Sequence, residues 1–279
     1  MYQFVLVVAF AGLLIPVWLV SATPANEPTP EQMKEVQEAF ARLGAKNREV
    51  TNPKTKQIIP FFDMPEKTTD DDLKNIPHVS FPFGLSLFNS KVTDTGMKEL
   101  KFLKHLSCLN LQATALTDVG LKNLKNLKKL VTLNLQCTDV TDGGLKELRD
   151  FKQLTTLDLT WTQITDVGLK ELKVLKQLTT LDISITKVTD AGLKEVKALQ
   201  KITTLGLGVT KVTDAGLKEL KSLKQLITLD LSNTQVTDAG LKELRELKQL
   251  TLLNLAETKV TDAGAKELRE ALPKCRIVK

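Results

Sequence analysis

The stretch from Lys211 to Gln235 reads KVTDAGLKELKSLKQLITLDLSNTQ, and the stretch from Lys187 to Lys211 reads KVTDAGLKEVKALQKITTLGLGVTK. The two agree at most positions when one is shifted by 24 residues. An apolar residue followed by Thr-Asp recurs at this interval, at Val92, Leu116, Val140, Ile164, Val188, Val212, Val236 and Val260. Repetition at a fixed period of this size predicts a stack of similar units, each with the same local structure.

Each unit contains the pattern of one short strand and one short helix. In Leu229-Asp230-Leu231 the alternation predicts two leucines facing a core and one polar residue facing outward. In DAGLKELKSL the leucines 217, 220 and 223 recur every three residues and predict an apolar stripe on a helix. One strand and one ten-residue helix cannot bury these leucines alone, so neighbouring units must stack on a continuous core.

Small and polar residues recur at fixed positions in each unit. Thr213 or Asp214 is predicted to cap the helix by accepting a backbone N–H bond, and Gly216 to allow close approach of the neighbouring coil. A threonine closes each strand segment, and its hydroxyl is expected to bond to the backbone of the adjacent turn in a buried ladder. The members of this column are Thr114, Thr138, Thr162, Thr186, Thr210, Thr234 and Thr258.

The strand segment has the form L-x-x-L-x-L-x-x-T, as in Leu226, Leu229, Leu231 and Thr234, and resembles the leucine-rich repeat family. The TDxGLKEL opening is similar to the ribonuclease-inhibitor-like and cysteine-containing subclasses and to secreted bacterial repeat proteins. The resemblance covers about 190 residues in unbroken phase. It implies an α/β solenoid, with a curved parallel sheet on the concave face and short helices on the convex face, and it says little about a ligand.

The first 22 residues are interpreted as a signal peptide or an N-terminal anchor. Phe4 to Val20 are 17 consecutive apolar residues, and Ser21-Ala22 supply small side chains for cleavage. A run of this length is at the lower limit for spanning a bilayer, so an uncleaved membrane anchor is the alternative to a cleaved signal peptide. Both interpretations predict export, to the periplasm, the cell envelope or the medium.

The remaining boundaries follow from composition and phase. Residues 23–30 are a Pro-rich linker, and 31–57 form an N-terminal helical cap in which Met33, Val36, Phe40 and Leu43 have helical spacing before Gly44. Residues 58–91 are a degenerate first repeat, in which the 24-residue phase pairs Phe61 with Leu85. Seven repeats occupy 92–259, and a C-terminal cap repeat occupies 260–279.

The sequence contains no recognisable catalytic or cofactor-binding pattern. The two histidines, His78 and His105, have no partner at a catalytic spacing, and no phosphate-binding glycine loop is present. The run Asp70–Asp72 is interpreted as a helix start rather than a calcium site. We therefore expect no enzyme activity, no metal, no cofactor and no small-molecule substrate.

The net charge bears on the class of partner, and the cysteine positions bear on disulfide formation. The net charge of +6 arises from 39 basic and 33 acidic residues without a dense basic cluster, which argues against nucleic-acid binding. The three cysteines (Cys108, Cys137 and Cys275) are predicted to be free thiols, because the first two lie in different columns about 15 Å apart.

Basic residues form two regular columns on the predicted helices. Attraction to an anionic polymer or a membrane surface is one interpretation. The alternative is a solvated face in which an adjacent acidic column balances the lysines. The first column consists of Lys98, Lys122, Lys146, Lys170, Lys194, Lys218, Lys242 and Lys266, and the second of Lys101, Lys125, Arg149, Lys173, Lys197, Lys221, Arg245 and Arg269.

The outward positions of the strands differ from repeat to repeat, and any ligand is expected there. Asp158 and Asp182 are predicted to be adjacent like charges, an unfavourable arrangement that a cation or a partner would relieve. Trp161 would stand beside Ile185 and Val209 on three successive turns, either as a binding hot spot or packed against the ascending loops. The predicted partner-binding residues are Asp158, Trp161, Asp182, Ile185, Val209, Asp230 and Asn233.

These observations predict an exported, non-catalytic recognition module that binds a protein through the concave strand face. The alternative is a structural envelope protein whose basic convex helices contact an anionic polymer or a membrane surface.

Overall fold

The computed structural model describes residues 28–51 and 58–279. The predicted signal or anchor segment at 1–22, most of the Pro-rich linker and part of the N-terminal cap lie outside the described residues. The strands are β1 (Lys46–Thr51), β2 (Ile58–Asp63), β3 (Phe83–Ser86), β4 (Leu106–Asn110), β5 (Thr132–Asn134), β6 (Thr156–Asp158), β7 (Thr180–Asp182), β8 (Thr204–Gly206), β9 (Thr228–Asp230), β10 (Leu252–Asn254) and β11 (Arg276–Val278).

Short helices alternate with these strands. The α-helices are α1 (Pro30–Arg42), α2 (Met97–Leu100), α3 (Asp118–Asn123), α4 (Asp142–Leu145), α5 (Asp166–Leu172), α6 (Asp190–Val196), α7 (Asp214–Leu220), α8 (Asp238–Leu241) and α9 (Asp262–Ala271). Short 3-10 segments occupy Asp72–Asn75, Leu124–Asn126, Lys146–Asp150 and Lys242–Leu244.

The described strands form one open sheet in sequence order from β1 to β11. From β2 onward all neighbours are parallel, and from β4 to β11 each residue pairs with the one 24 positions later, as Leu229 does with Leu253. Each strand therefore belongs to one turn of an open solenoid, which confirms the fold predicted from the repeat. No helix in the described ranges has the length and hydropathy needed to cross a bilayer.

The main apolar core runs the length of the stack, from Val36 in α1 to Cys275 before β11. The repeated leucines supply it, and Leu217, Leu220 and Leu223 in one turn are fully buried, as are Leu229 and Leu231. No unit buries these side chains against itself alone, because the core is continuous from turn to turn. Burying one leucine contributes about 1.5–3 kcal/mol, so the stack is held together mainly by this column.

The N-terminal end departs from the 24-residue phase by one position. β2 and β3 pair Phe62 with Leu85, not Phe61 with Leu85 as the phase predicted. Since side chains alternate along a strand, this slip places Phe62 in the core, stacked on Phe40 with ring centroids 3.8 Å apart. Phe61 lies on the opposite face of the sheet, against Gly84. The antiparallel strand β1, which the sequence did not suggest, covers the edge of β2.

Hydrogen bonds at the helix starts connect successive turns. Thr213, not Asp214, is the N-cap of α7, and its hydroxyl accepts a bond from Ala215 N at 3.2 Å. The Asp214 carboxylate instead accepts bonds from Thr237 of the next turn, from the backbone N at 2.8 Å and from Oγ1 at 2.7 Å. The same pairing recurs between consecutive turns for Asp70–Thr93, Asp94–Thr117, Asp118–Thr141, Asp142–Thr165, Asp166–Thr189, Asp190–Thr213 and Asp238–Thr261.

Gly216 lies where this junction is tightest. A Cβ at this position would overlap Asp190 Oδ1 of the preceding turn and would lie 3.0 Å from Leu193 Cδ1. The predicted close approach is therefore confirmed, and the neighbour is the same carboxylate that binds Thr213.

The threonine ladder was predicted in the wrong column. Thr234 Oγ1 donates to Leu231 O of its own turn at 2.6 Å, and the other members of the predicted column behave alike. These hydroxyls satisfy the carbonyl three residues back, where the chain turns out of the strand. The ladder between turns lies at the strand entry, where Thr203 Oγ1 donates to Thr179 O and Thr179 Oγ1 to Thr155 O, both at 3.1 Å.

Candidate functional site

The exposed side of the parallel sheet, hereafter the strand face, carries three columns of side chains. The entry column consists of Cys108, Thr132, Thr156, Thr180, Thr204, Thr228 and Leu252. The middle column consists of Asn110, Asn134, Asp158, Asp182, Gly206, Asp230 and Asn254, and the exit column of Gln112, Gln136, Thr160, Ser184, Gly208, Ser232 and Ala256. None of these positions holds a Lys or Arg, although the protein has a net charge of +6.

The middle column has a structural task that Asn and Asp perform equally well. Asn134 Oδ1 accepts a bond from Gln136 N at 2.8 Å, and Asn110 and Asn254 accept the same bond. Asp158 and Asp182 do so at 2.9 Å from Thr160 N and Ser184 N, and Asp230 does so from Ser232 N. This bond requires a side-chain oxygen at the position but not a negative charge.

Asp158 and Asp182 are direct neighbours, as predicted, because β6 and β7 pair them in register. Burial, followed by the charge of Asp182, raises the pKa of Asp158 to about 7. Burial also raises the pKa of Asp230, and Asp182 adds to that effect. Asp158 and Asp182 line a shallow recess of about 20 Å³ with Asn134 and with three threonines, Thr132, Thr156 and Thr180.

Beyond this recess the strand face has a notch without side chains. Gly206 and Gly208 lie between β7 and β9, and the Asp182 carboxylate extends over Gly206, where a Cβ would overlap it. On the far side, Ser232 Oγ lies 2.8 Å and Asp230 Oδ2 lies 3.2 Å from the position that a Cβ of Gly208 would occupy. The notch therefore separates the pair Asp158 and Asp182 from Asp230, and carboxylates border it on both sides.

A fourth column follows the exit column, and its backbone conformation is unusual. Its members have φ between 51° and 58°, the left-handed region: Asn89, Ala113, Cys137, Trp161, Ile185, Val209, Asn233 and Glu257. Each backbone N–H from Trp161 to Asn233 donates to a carbonyl of the next turn, as Trp161 N does to Ser184 O at 3.0 Å. Trp161 is 50% exposed and Val209 is 40% exposed, so both project from the stack.

The seven predicted residues thus lie in two neighbouring columns on four successive turns. Asp158, Asp182 and Asp230 belong to the middle column. Trp161, Ile185, Val209 and Asn233 belong to the left-handed column. Of the apolar members, Ile185 is half-buried, whereas Trp161 and Val209 are exposed rather than covered by the ascending loops.

The basic columns of the helices are partly neutralised within the molecule. Residues of the second column pair with glutamates of the next turn: Arg149 with Glu171, Lys197 with Glu219, Lys221 with Glu243 and Arg245 with Glu267. The Lys197–Glu219 distance is 2.8 Å. Such surface pairs contribute little stability, about 0–1 kcal/mol each. They reduce the free positive charge of this face and so favour the solvated interpretation of the columns.

The next groups to consider in the described ranges are the possible metal ligands and the three cysteine thiols. Within residues 28–51 and 58–279 no group of His, Cys, Asp or Glu has an arrangement that could hold a metal ion. Cys108, Cys137 and Cys275 are unpaired. Burial raises the pKa of Cys108 to about 12 and that of Cys275 to about 11, so these two thiols are poor nucleophiles.

A wider cavity, which was not predicted from the sequence, lies at the N-terminal end of the strand face. Phe88, 42% exposed, stands in the exit column one turn before Gln112. The cavity measures about 390 Å³ and is lined by Asp63, Met64, Glu66, Ser86, Phe88, Asn110 and Gln112. Its signal in the sequence was an aromatic residue in a column that is otherwise polar or small.

Comparison with known proteins agrees with this architecture. The family model described as Leucine Rich repeat matches residues 126–148, 153–173 and 224–244. The chain contains leucine-rich repeats and folds as a leucine-rich repeat solenoid. The crystal structure of internalin C2 from Listeria monocytogenes shares 26% sequence identity with it and has a TM-score of 0.58, over 90% of this chain and 92% of that chain.

A second internalin, InlF from the same organism, is 19% identical with a TM-score of 0.36, over 92% of this chain and 99% of that chain. No protein of curated function matches the sequence.

Proposed function

We propose that the protein is a non-catalytic recognition module that binds a protein partner through the strand face, centred on Trp161. The observation that carries the proposal is an exposed tryptophan beside paired carboxylates, in a part of the strand face (columns from 108 to 256) that holds no lysine or arginine. Aromatic side chains that are exposed beside polar groups dominate binding energy at protein interfaces. The inner surface of a repeat solenoid is extended and suits a macromolecule better than a small substrate.

The shape of the strand face around Asp158 and Trp161 supports a macromolecular partner in preference to a small molecule. The recess beside Asp158 measures about 20 Å³, well below the roughly 300–1,000 Å³ of a typical small-molecule site. The exposed apolar side chains of Trp161 and Val209 are two turns apart, which requires a ligand that extends along the stack.

We also propose that the protein acts outside the cytoplasm. The 17 apolar residues from Phe4 to Val20, followed by small residues, support this. Internalin C2, a protein of the bacterium Listeria monocytogenes, has a similar architecture.

Affinity capture with the purified full-length chain tests the proposal. The wild-type chain is immobilised beside two strand-face variants, Trp161→Ala and Asp182→Lys, and beside a control variant on the opposite side, Lys194→Ala. Loss of the same captured protein with both strand-face variants, and its retention with Lys194→Ala, is the expected result. Unchanged capture with both strand-face variants contradicts the assignment of the site.

A further inference from the structure

We propose that the recess between β5, β6 and β7 receives the ammonium group of a lysine side chain of the protein partner. The inference rests on the proposed function and names the chemistry that the strand face recognises. It follows from the pairing of Asp158 and Asp182, from a poorly satisfied hydroxyl and from the size of the recess.

The charge of the two carboxylates is not required by the fold. Asn110, Asn134 and Asn254 make the same bond to the backbone N–H two residues later. The repeat could therefore carry Asn at 158 and 182 without loss of that bond. Instead it places two carboxylates in register on adjacent strands, an arrangement that repels. A cation between them removes the repulsion, and the strand-face columns from 108 to 256 supply no Lys or Arg.

A buried hydroxyl that lines the same recess is poorly satisfied. Thr132 is only 1% exposed, and its Oγ1 has no partner of normal hydrogen-bond geometry and only the weak thiol of Cys108 beside it. Thr132 lines the recess together with Thr156 and Thr180. A poorly satisfied buried hydroxyl is unfavourable, and a donor held in the recess would improve its hydrogen bonding.

The size of the recess selects the ammonium group. A volume of about 20 Å³ accommodates one group of the size of a water molecule. An ammonium is a compact charge with three donors, which matches two carboxylates and a hydroxyl as acceptors. A guanidinium is planar, carries five donors and needs more room than the recess provides.

Trp161 does not line the recess, but it is an exposed aromatic side chain of the same turn as Asp158. It follows Asp158 by three residues on the same turn and is half exposed. The aliphatic part of a lysine can pack on an aromatic ring while its charged end reaches a polar group. A lysine flanked by an apolar residue is therefore the expected element of the partner.

Selection from a displayed random dodecapeptide library against the full-length chain tests the inference. The peptides recovered are expected to be enriched in lysine over arginine. Their binding should fall at least tenfold for Asp158→Asn/Asp182→Asn and remain within twofold for a surface control, Asp139→Asn. Replacing the lysine of a recovered peptide with arginine or acetyl-lysine should also weaken binding at least tenfold. Thermal unfolding of the double variant verifies that it is folded.

The outcomes separate this inference from the proposed function. Peptides that lose binding to Trp161→Ala but lack lysine, tolerate arginine or bind the double Asn variant equally overturn the lysine site and leave the strand-face function intact. Peptides that bind Trp161→Ala as well as wild type, or a library that yields no binder, contradict both.

Discussion

At the scale of single residues, the left-handed column is where the chain departs most from ordinary backbone preferences. Ile185 and Val209 have φ of 55° and 54°, although a β-branched side chain is disfavoured in this region. Asn tolerates the left-handed conformation, and it occupies the same column at Asn89 and Asn233. The conformation itself is imposed by the N–H bonds to the next turn, so the side chains at 185 and 209 add strain that the stack must absorb.

We expect Val209→Asn to raise the free energy of unfolding by about 0.5–1 kcal/mol, because the variant relieves this strain and loses little packing at a 40% exposed site. Urea unfolding followed by circular dichroism measures the change. The same substitution should weaken capture of the partner if the exposed valine contributes to the interface. A fall in stability would show that Val209 packs in the native protein more than its exposure indicates.

Asp158 links stability to pH. Its pKa is raised to about 7 in the folded protein, against about 3.9 in an unfolded chain, so the native state binds the extra proton between these values. Protonation of Asp158 therefore favours the folded state: this contribution to stability is complete below pH 4 and is lost as the pH rises through 7, where the buried carboxylate ionises. Asp158→Asn should therefore stabilise the protein at pH 8 by about 1–3 kcal/mol and change it little at pH 4.

Chemical denaturation at pH 4, 6 and 8 measures this effect, with Asp139→Asn as a control outside the strand face. An equal shift at all three pH values would mean that the gain does not come from the ionisation of Asp158.

At this scale the sequence predicted which residues would be neighbours but not their backbone state. Asp158 and Asp182 are adjacent because a strict 24-residue period leaves no other register. The left-handed column could not be inferred from Trp161, Ile185 or Val209, since none of these residue types favours positive φ. Only Asn89 and Asn233 hinted at it, and they are two members of eight.

At the scale of the elements, Asp, Thr and Gly form one junction between successive helices. The Asp190 carboxylate accepts two bonds from Thr213 and also occupies the space beside Gly216. The sequence showed the three residue types in every repeat and suggested capping and close packing separately. It did not reveal that a single carboxylate serves both, because that contact joins residues 23 and 26 positions apart.

Gly216→Ala should destabilise the protein by about 1–3 kcal/mol, because the added methyl group overlaps the Asp190 carboxylate. Asp190→Ala alone should destabilise it by a similar amount by leaving Thr213 N and Oγ1 unpaired. In the Asp190→Ala background the cost of Gly216→Ala should be smaller, since the space is vacated. A double-mutant cycle from urea unfolding measures the coupling, and strict additivity would contradict a shared junction.

Identical peptide segments show how far local sequence determines an element. DAGLKEL occurs at 214–220 and at 238–244. The first copy is a seven-residue α-helix, and the second is a four-residue α-helix followed by a 3-10 turn. The start is the same in both because Thr213 and Thr237 cap it. The last turn differs between the two copies, so the heptapeptide alone does not determine how the helix ends.

At the scale of the whole molecule, charge and repetition are arranged on separate faces. The helices carry basic residues that pair with glutamates of the next turn at four junctions, whereas the strand face combines Asp158, Asp182 and Asp230 with small polar residues. A positively charged protein therefore presents one locally negative surface. The invariant positions of the repeat build the stack, and the variable positions on the strand face remain free to specify a ligand.

If the turns are interchangeable, one can be removed without loss of the fold. Deleting residues 188–211 joins Lys187 to Val212 and restores the local sequence Thr-Lys-Val-Thr-Asp. Asp166 should then bind Thr213 in place of Thr189, and the protein should unfold cooperatively with a denaturant m value lower by roughly a tenth.

The deletion removes Val209 and the glycine notch but keeps Asp158, Trp161 and Asp182, so partner binding should weaken while lysine recognition persists. Deletion of 236–259 is the matched control, which shortens the stack equally and leaves the proposed site whole. Urea unfolding and capture of the partner by both deletion variants measure the two effects. Equal loss of binding in both would show that recognition depends on the length of the stack rather than on these turns, and loss of cooperative unfolding in both would show that the turns are not interchangeable.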